Sequence, residues 1–274
     1  MRFPLLSPLF VPGNRPERFA KAAASGADAI ILDLEDAVSR EVLDTARQAV
    51  SGYIASGPAT VPVVVRINAP GSDAGRADLA TLQPAPPSAV LVPKFETANA
   101  AQSVREALGD QVAVLALVET AAAFENLPKL LRESGVAQAA LGTFDLAHDI
   151  GCAHESALID HLRCQIVLAS RLAGIAPPLD GVTATVGDDS SVGTAAGKAR
   201  ALGFGGKLCI HPRQVPLVRA AYLPGSAELA RAQAIVAACA DGVAVLDGQM
   251  IDRPIVLAAE RVLALAAENG MARP

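Results

Sequence analysis

Short runs of aliphatic and β-branched residues recur along the chain at a fairly even spacing, separated by Ala-rich stretches with helical periodicity. Repeated βα units around a parallel sheet produce this alternation, because each strand is covered on both faces and reads as a continuous apolar run. The runs predict eight strands, at Pro8–Val11, Ala29–Leu34, Val61–Ile67, Ala89–Val92, Ala113–Val118, Ala139–Leu141, Leu179–Val182 and Gly206–Ile210. Eight such units make an α/β fold of the (β/α)8 TIM-barrel type. Asn14, ahead of Pro16 and Glu17, offers a helix cap followed by a first-turn proline and acid; Ser72 and Thr97 open the third and fourth helices. After the eighth strand the pattern changes to a helix at Ala227–Cys239, a short strand at Val243–Leu246, the run Asp247 to Asp252, and a final helix from Pro254. The expected organisation is a barrel over 1–222 and a C-terminal helical extension over 223–274, packing on the barrel or on a neighbouring subunit. No internal repeat or linker-like tract argues for anything else.

Length and composition agree with one barrel. The chain has 274 residues, against roughly 250 for this fold. It is 51% hydrophobic and 19% charged, enough to bury a large core. A formal net charge of −5 disfavours nucleic acid and anionic membranes as partners, since both require a basic face. No run reaches the roughly 18 apolar residues of a membrane span, and no apolar run ending in a cleavage signature follows Met1, so the expected location is cytoplasmic. Cys152, Cys164, Cys209 and Cys239 form no CxxC pair and read as buried small apolar residues.

In such barrels the active site is built at the C-terminal ends of the strands. Polar residues there stand out: Arg66 after Val61–Val65, Glu119 after Val112–Val118, Asp145 just past Ala139–Gly142, and the acids Asp33, Glu35 and Asp36 at the second strand. Each follows a nearly apolar run, where an ionised side chain needs a counter-charge or a metal. Glu119 and Asp145 end consecutive strands, so their carboxylates can share an ion that keeps water and substrate oxygens in its other positions, as Mg²⁺ prefers. Arg66 would then clamp a substrate carboxylate in a bidentate fork. Structural ion pairs are the alternative for each residue taken singly.

At these positions the sequence resembles the citrate lyase beta-subunit-like family of the phosphoenolpyruvate/pyruvate aldolase superfamily. The resemblance runs through Leu9 to Pro16, Leu32 to Val38, Val65 to Asn68, Leu91 to Lys94, Val118 to Ala121, Gly142 to Leu146, Gly206 to Pro212 and Leu246 to Asp252. It implies Mg²⁺ as cofactor on Glu119 and Asp145, Arg66 on the substrate carboxylate, and a homo-oligomer such as a trimer or hexamer. It also implies small-molecule substrates: 3-hydroxyacyl-CoA thioesters of the citryl, citramalyl or malyl type, cleaved to acetyl-CoA and a 2-oxo acid or formed from them. One departure is Phe144, where many relatives carry Glu, which makes the pocket beside the metal less acidic.

Cleavage needs a general base, and the acids available are Asp33, Glu35, Asp36 and Asp252. Asp252 lies in the extension, which in this family can close a neighbour's site; the alternative is a cap of the final helix. Asp36 equally suits a helix start, and Glu35 the orientation of the metal's waters. Arg15, with Asn14, could meet a CoA phosphate, a capped helix being the commoner explanation. Lys94 ends the fourth strand and suits electrostatic support better than a Schiff base. His148, Cys152, His154, His161 and Cys164 crowd one stretch without a compact zinc-ligand spacing. Gly203, Gly205, Gly206 and Lys207 precede a strand and so read as a turn, not a phosphate loop. His211 either caps the site or serves structure. A free 2-oxo acid aldolase and an accessory subunit that binds acyl carriers are the competing functional readings.

Overall fold

All eight apolar runs become strands of one parallel sheet, arranged in chain order: β1 (Leu9–Pro12), β2 (Ile30–Asp33), β3 (Val63–Arg66), β4 (Ala89–Val92), β5 (Ala113–Val118), β6 (Gln138–Leu141), β7 (Ala176–Asp180) and β8 (Gly206–Lys207). The computed structural model describes residues 1–57, 60–239, 244–246 and 248–271. The sheet closes just beyond β8, where Cys209 bridges Leu9. There the Phe10 N–H donates to the Cys209 carbonyl at 2.8 Å, and the Cys209 N–H to the Pro8 carbonyl at 2.9 Å. The fold is therefore the α/β TIM barrel that the periodicity predicts.

Register explains the core. Ile31 pairs with Val64, Val64 with Ala89, Leu91 with Leu115, Leu117 with Ala140, and Ala140 with Leu179, so these side chains share one face and pack as one cluster. Their neighbours Ile30, Leu32, Val65, Val90 and Val92 point the other way and are equally buried. Each fully buried Leu or Ile contributes about 1.5–3 kcal/mol. The helices that cover the strands use the caps their sequences offer: the Ser72 hydroxyl accepts from the Gly75 N–H at 3.0 Å, and Gly135 and Gly151 close helices in the left-handed conformation.

The structure corrects several local readings. β7 starts at Ala176, earlier than predicted, and runs through Pro177 and Pro178. Prolines argue against a strand because they cannot donate. Here their carbonyls do the pairing: Pro178 accepts from the Gly205 N–H at 2.8 Å and Pro177 from the Gln138 amide at 2.7 Å. Asn14 is not a cap, because Arg15 occupies that position ahead of the 3-10 turn Pro16–Arg18 and no side chain caps it; the Asn14 Oδ1 is buried without a hydrogen-bond partner. Thr97 stands at the start of its helix but makes no side-chain cap. Among the cysteines only Cys209 is fully buried, Cys164 is exposed, and all four are free.

The chain divides into two compact units, Met1–Arg219 and Ala220–Pro274, the division falling within the helix Gln214–Tyr222. In the second unit the helices Ser226–Ala238 and Arg253–Glu268 pack through Ala232, Ile235, Val256 and Ala259. Between them lies an antiparallel hairpin, β9 (Ala244–Leu246) and β10 (Gln249–Ile251). The sequence reading placed no strand at β10; its start at Val243 for β9, and Asp247, lie outside the described residues. Among the described residues no helix is long and apolar enough to cross a membrane.

Candidate active site

β2 and β3 end in register, Asp33 beside Arg66. That pairing decides how the arginine is used. Its Nε and Nη2 each donate to one Asp33 carboxylate oxygen at 2.7 Å, so the bidentate fork expected for a substrate is taken up by the neighbouring strand. Its Nη1 donates to Asp36 at 3.1 Å and lies 3.1 Å from Glu35 Oε2, without hydrogen-bond alignment to the latter. The guanidinium carbon sits 5.0 Å above the centre of the Phe10 ring. Burial disfavours the charge, but hydrogen bonds and charge from Asp33, with Glu35 and Asp36, overcome it and raise the arginine pKa. Arg66 is thus the cationic hub of three carboxylates.

Glu119 follows β5 directly and is 2% exposed. Its Oε1 accepts from the Lys94 backbone N–H at 2.8 Å. Lys94 makes that possible through a left-handed backbone, φ 45°, the only such non-glycine among the described residues. The glutamate's other oxygen faces Gly142, where an added Cβ would stand 2.5 Å from Oε2 and 2.6 Å from the glutamate Cβ. Burial pushes the Glu119 carboxyl up to about 7; the Lys94 N–H opposes this, and the charge of Asp145 adds to it. Gly142 also starts the helix Thr143–Ile150, whose first turn carries the exposed Asp145. One glycine therefore sets both carboxylates. Gly142→Ala is expected to displace Glu119 and weaken divalent-metal affinity about 10- to 100-fold, the usual range for ligand-supporting positions, as read by calorimetric titration with Mg²⁺.

Arg66, Glu119 and Asp145 line one small cavity of about 70 Å³ together with Phe10, Phe144 and Leu141. A wider opening of about 400 Å³ shares Phe10, Arg66, Phe144 and Asp145 and adds Asp33 and Asp36. Of the strand-end residues singled out in the sequence, Asp33, Asp36, Arg66, Glu119 and Asp145 are thus brought to one mouth. Glu35 is half-buried beside the Arg66 guanidinium but lines another cavity, of about 680 Å³, with Lys94; its carboxyl is pushed up to about 8 by burial, against the pull of Arg66. The Lys94 ammonium is exposed, 3.9 Å from Glu35. Among the described residues no three His, Cys, Asp or Glu side chains gather as a metal site. The donor set is two carboxylates, one buried and carrying no bonded cation of its own. Such a pair fits an oxygen-liganded ion that keeps water or substrate in its remaining positions.

The other residues singled out in the sequence have partners of their own. Arg15 is exposed and ion-paired with Glu17 at 2.6 Å. Asp252 belongs to the second unit, where its side chain caps the last helix by accepting from the Ile255 N–H at 3.4 Å. His211 accepts from the Arg213 N–H on Nδ1 and borders a cavity with Arg18 and Lys21. His154 stacks on Phe144, centroids 3.8 Å apart, and lies 2.9 Å from the Thr143 hydroxyl; His161 bonds Gln165. Sequence reasoning missed a buried triad: Asp180 at the end of β7 takes Lys207 at 2.7 Å and Arg163 at 3.0 Å. Burial opposes the charge on Asp180, but the two cations hold its carboxyl below the usual range. Lys207 read as part of a glycine-rich turn, although a lysine one residue into a buried strand was itself the signal.

Known proteins match this arrangement over nearly its whole length. The model of the HpcH/HpaI aldolase/citrate lyase family matches residues 6–212. A citrate lyase subunit beta-like protein of Deinococcus radiodurans is 37% identical, covering 94% of this chain and 96% of its own. A (3S)-malyl-CoA thioesterase of Cereibacter sphaeroides is 31% identical over 96% of this chain and 95% of its own. Among solved structures, CitE from Mycobacterium tuberculosis in complex with magnesium, acetoacetate and coenzyme A superposes with a TM-score of 0.84 at 34% identity, covering 97% of this chain and all of that one. The chain belongs to the HpcH/HpaI aldolase/citrate lyase family, and by that membership is an enzyme of the carbon–carbon lyase type.

Proposed function

We propose that the chain is a Mg²⁺-dependent lyase for short 3-hydroxyacyl-CoA thioesters, giving acetyl-CoA and a 2-oxo acid or running in reverse. The observation that carries this reading is the pair Glu119 and Asp145 beside Arg66 in one cavity. Glu119 and Asp145 would hold the ion, which supplies Lewis acidity toward substrate oxygens when bound. The magnesium and coenzyme A in the CitE complex support it. Arg66 adds fixed positive charge at the substrate's carboxylate end.

Cleavage takes the proton from the substrate hydroxyl; the carbon–carbon bonding pair passes to the thioester fragment, which then gains a proton. Glu35, protonated at neutral pH with its carboxyl near 8, suits the second proton. For the first we propose Asp252 from a second copy in a homo-oligomer, with Asp36 as the acid available within the barrel. Asp252→Asn preserves the helix cap but cannot accept a proton, whereas Asp252→Ala loses both. A base is indicated if both variants lose turnover while only the alanine variant loses stability.

Purified protein with Mg²⁺ and a panel of hydroxyacyl-CoA esters tests the reading. Metal-dependent release of acetyl-CoA and oxo acid supports it. Turnover of free acids alone would instead mark an aldolase, and no turnover by folded protein an accessory subunit. The thioesterase relatives favour a second activity, hydrolysis of the CoA ester, seen as release of free CoA.

The carboxyls of Glu119 and Glu35 bind protons more tightly in the fold than at their ordinary 4.5. Their contribution to stability is full below that value and is lost as pH rises through about 7 and 8. Metal-free protein should therefore lose melting temperature between pH 5.5 and 8.5. Added Mg²⁺, which needs the ionised carboxylates, should restore progressively more of it as pH rises.

A further inference from the structure

The part of the barrel formed by β6, β7 and β8 has a thin backbone ladder. Pro177 and Pro178 in β7 have no N–H to donate, and the register between β6 and β7 shifts between Gln138 and Ala140. β8 contributes two residues, pairing Gly206 with Leu179 and Lys207 with Asp180. A side chain makes good the deficit. Lys207, 2% exposed, donates from Nζ to Asp180 at 2.7 Å and to the Gly181 carbonyl, so one buried ammonium ties the end of β8 to the end of β7 and to the first peptide beyond it. Arg163, on the helix Ala157–Ala173, donates to the other Asp180 oxygen at 3.0 Å. Burying an ammonium is costly even when it is paired. An apolar side chain could fill the same space but could not hold the Gly181 peptide.

These bonds end one residue short of the cavity. Gly181 lies against the end of β6, where an added Cβ would stand 2.5 Å from the Thr143 hydroxyl oxygen and 2.9 Å from the Leu141 carbonyl. The residues that follow Gly181 and Lys207, namely Val182 and Leu208, line the small cavity beside Glu119 and Asp145. Thr143, 1% exposed, is the first residue of the helix whose first turn carries Asp145, and Gly142 before it packs on Glu119.

We infer that Lys207 is a positioning residue for the metal pair: by holding the Gly181 peptide against Thr143, it fixes the start of the helix that carries Asp145 relative to Glu119. This rests on the reading of Glu119 and Asp145 as Mg²⁺ ligands. The lysine acts through the backbone, its ammonium being bonded to Asp180 and Gly181. Two carboxylates can share an ion only while their spacing is held, and residues that orient metal ligands from behind commonly change affinity about 10- to 100-fold when lost. Arg163 bonds the same aspartate but does not reach Gly181, so the two cations of the triad have different duties.

The test compares two variants that damage the same triad. Lys207→Met keeps most of the stem and removes both bonds; Arg163→Met takes a cation from Asp180 but leaves Lys207 on Gly181. Each leaves Asp180 short of a partner, so both should melt at a lower temperature than the parent. In calorimetric titration with Mg²⁺, Lys207→Met should lose affinity about 10- to 100-fold, whereas Arg163→Met should stay within about threefold of the parent. Gly181→Ala, which drives a Cβ into Thr143 with the lysine in place, should lose affinity in the same range as Lys207→Met. The double variant should then lose less than the product of the two single losses, because both act on one contact. Unchanged affinity in Lys207→Met, equal losses in Lys207→Met and Arg163→Met, or fully multiplicative losses in the double variant overturn the inference. If Lys207→Met does not fold, unchanged affinity in Gly181→Ala overturns it. An unaltered protein that binds no Mg²⁺ overturns the metal-site reading beneath it, and the inference with it.

Discussion

Glu119→Gln should lower kcat about 1,000-fold while leaving the barrel folded. The substitution is nearly isosteric, so the packing against Gly142 and the hydrogen bond from Lys94 can both persist. What disappears is the negative charge of the proposed ligand, and with it most of the divalent-metal affinity expected of the pair. Losing one preorganised electrostatic contact at a reacting centre commonly costs two to three powers of ten, roughly, and loss of the ion itself removes more. Because burial holds the glutamate near 7, the amide variant should also be more stable than the parent in metal-free buffer at pH 8, where the parent must carry an uncompensated charge. Circular dichroism melts without metal, titration with Mg²⁺, and single-turnover kinetics separate these effects. A variant that kept Mg²⁺ affinity and turnover would remove Glu119 from the site.

Arg66→Met should be the most destabilising single change at the mouth of the barrel, by about 3–5 kcal/mol at neutral pH. Methionine replaces much of the volume but leaves Asp33, which is 1% exposed, and Asp36 without the cation that both bond in the parent. The loss should shrink at pH 5, where the stranded carboxyls can take up protons. Arg66→Lys keeps the charge and forfeits the planar fork onto Asp33, so it should fall between the two in urea denaturation. If Arg66→Met unfolded at the same urea concentration as the parent, the three-carboxylate hub would have no structural weight. Activity should fall in both variants, because the positive charge facing Glu119 and Asp145 is displaced in one and absent in the other.

Much of this was legible in the sequence because a parallel barrel writes its strands as continuous apolar runs. A charged residue ending such a run is conspicuous, and Arg66, Glu119 and Asp145 were visible for that reason. What one-dimensional reading does not carry is lateral pairing. Arg66 lies 33 positions from Asp33, and only the register of β2 and β3 shows that its fork is spoken for. The triad of Asp180, Arg163 and Lys207 was hidden in the same way, its members scattered over a strand, a helix and a glycine-rich segment. Proline propensity misplaced the start of β7, since accepting a hydrogen bond needs no N–H. Phe144 was noticed as a departure from relatives, but its stack on His154 is a tertiary fact.

The unusual backbone at Lys94 carries a further consequence. Glu119 is oriented there by a main-chain group, not by the lysine's own functional end, which stays in solvent. Substitution at this position is therefore expected to be tolerant of charge and length yet confined in conformation: glycine or asparagine can hold the same peptide plane with less strain, whereas valine or isoleucine would resist it. The side chain can be exchanged to suit whatever approaches the mouth of the barrel, and the peptide plane beneath it, the part that orients Glu119, goes on unchanged.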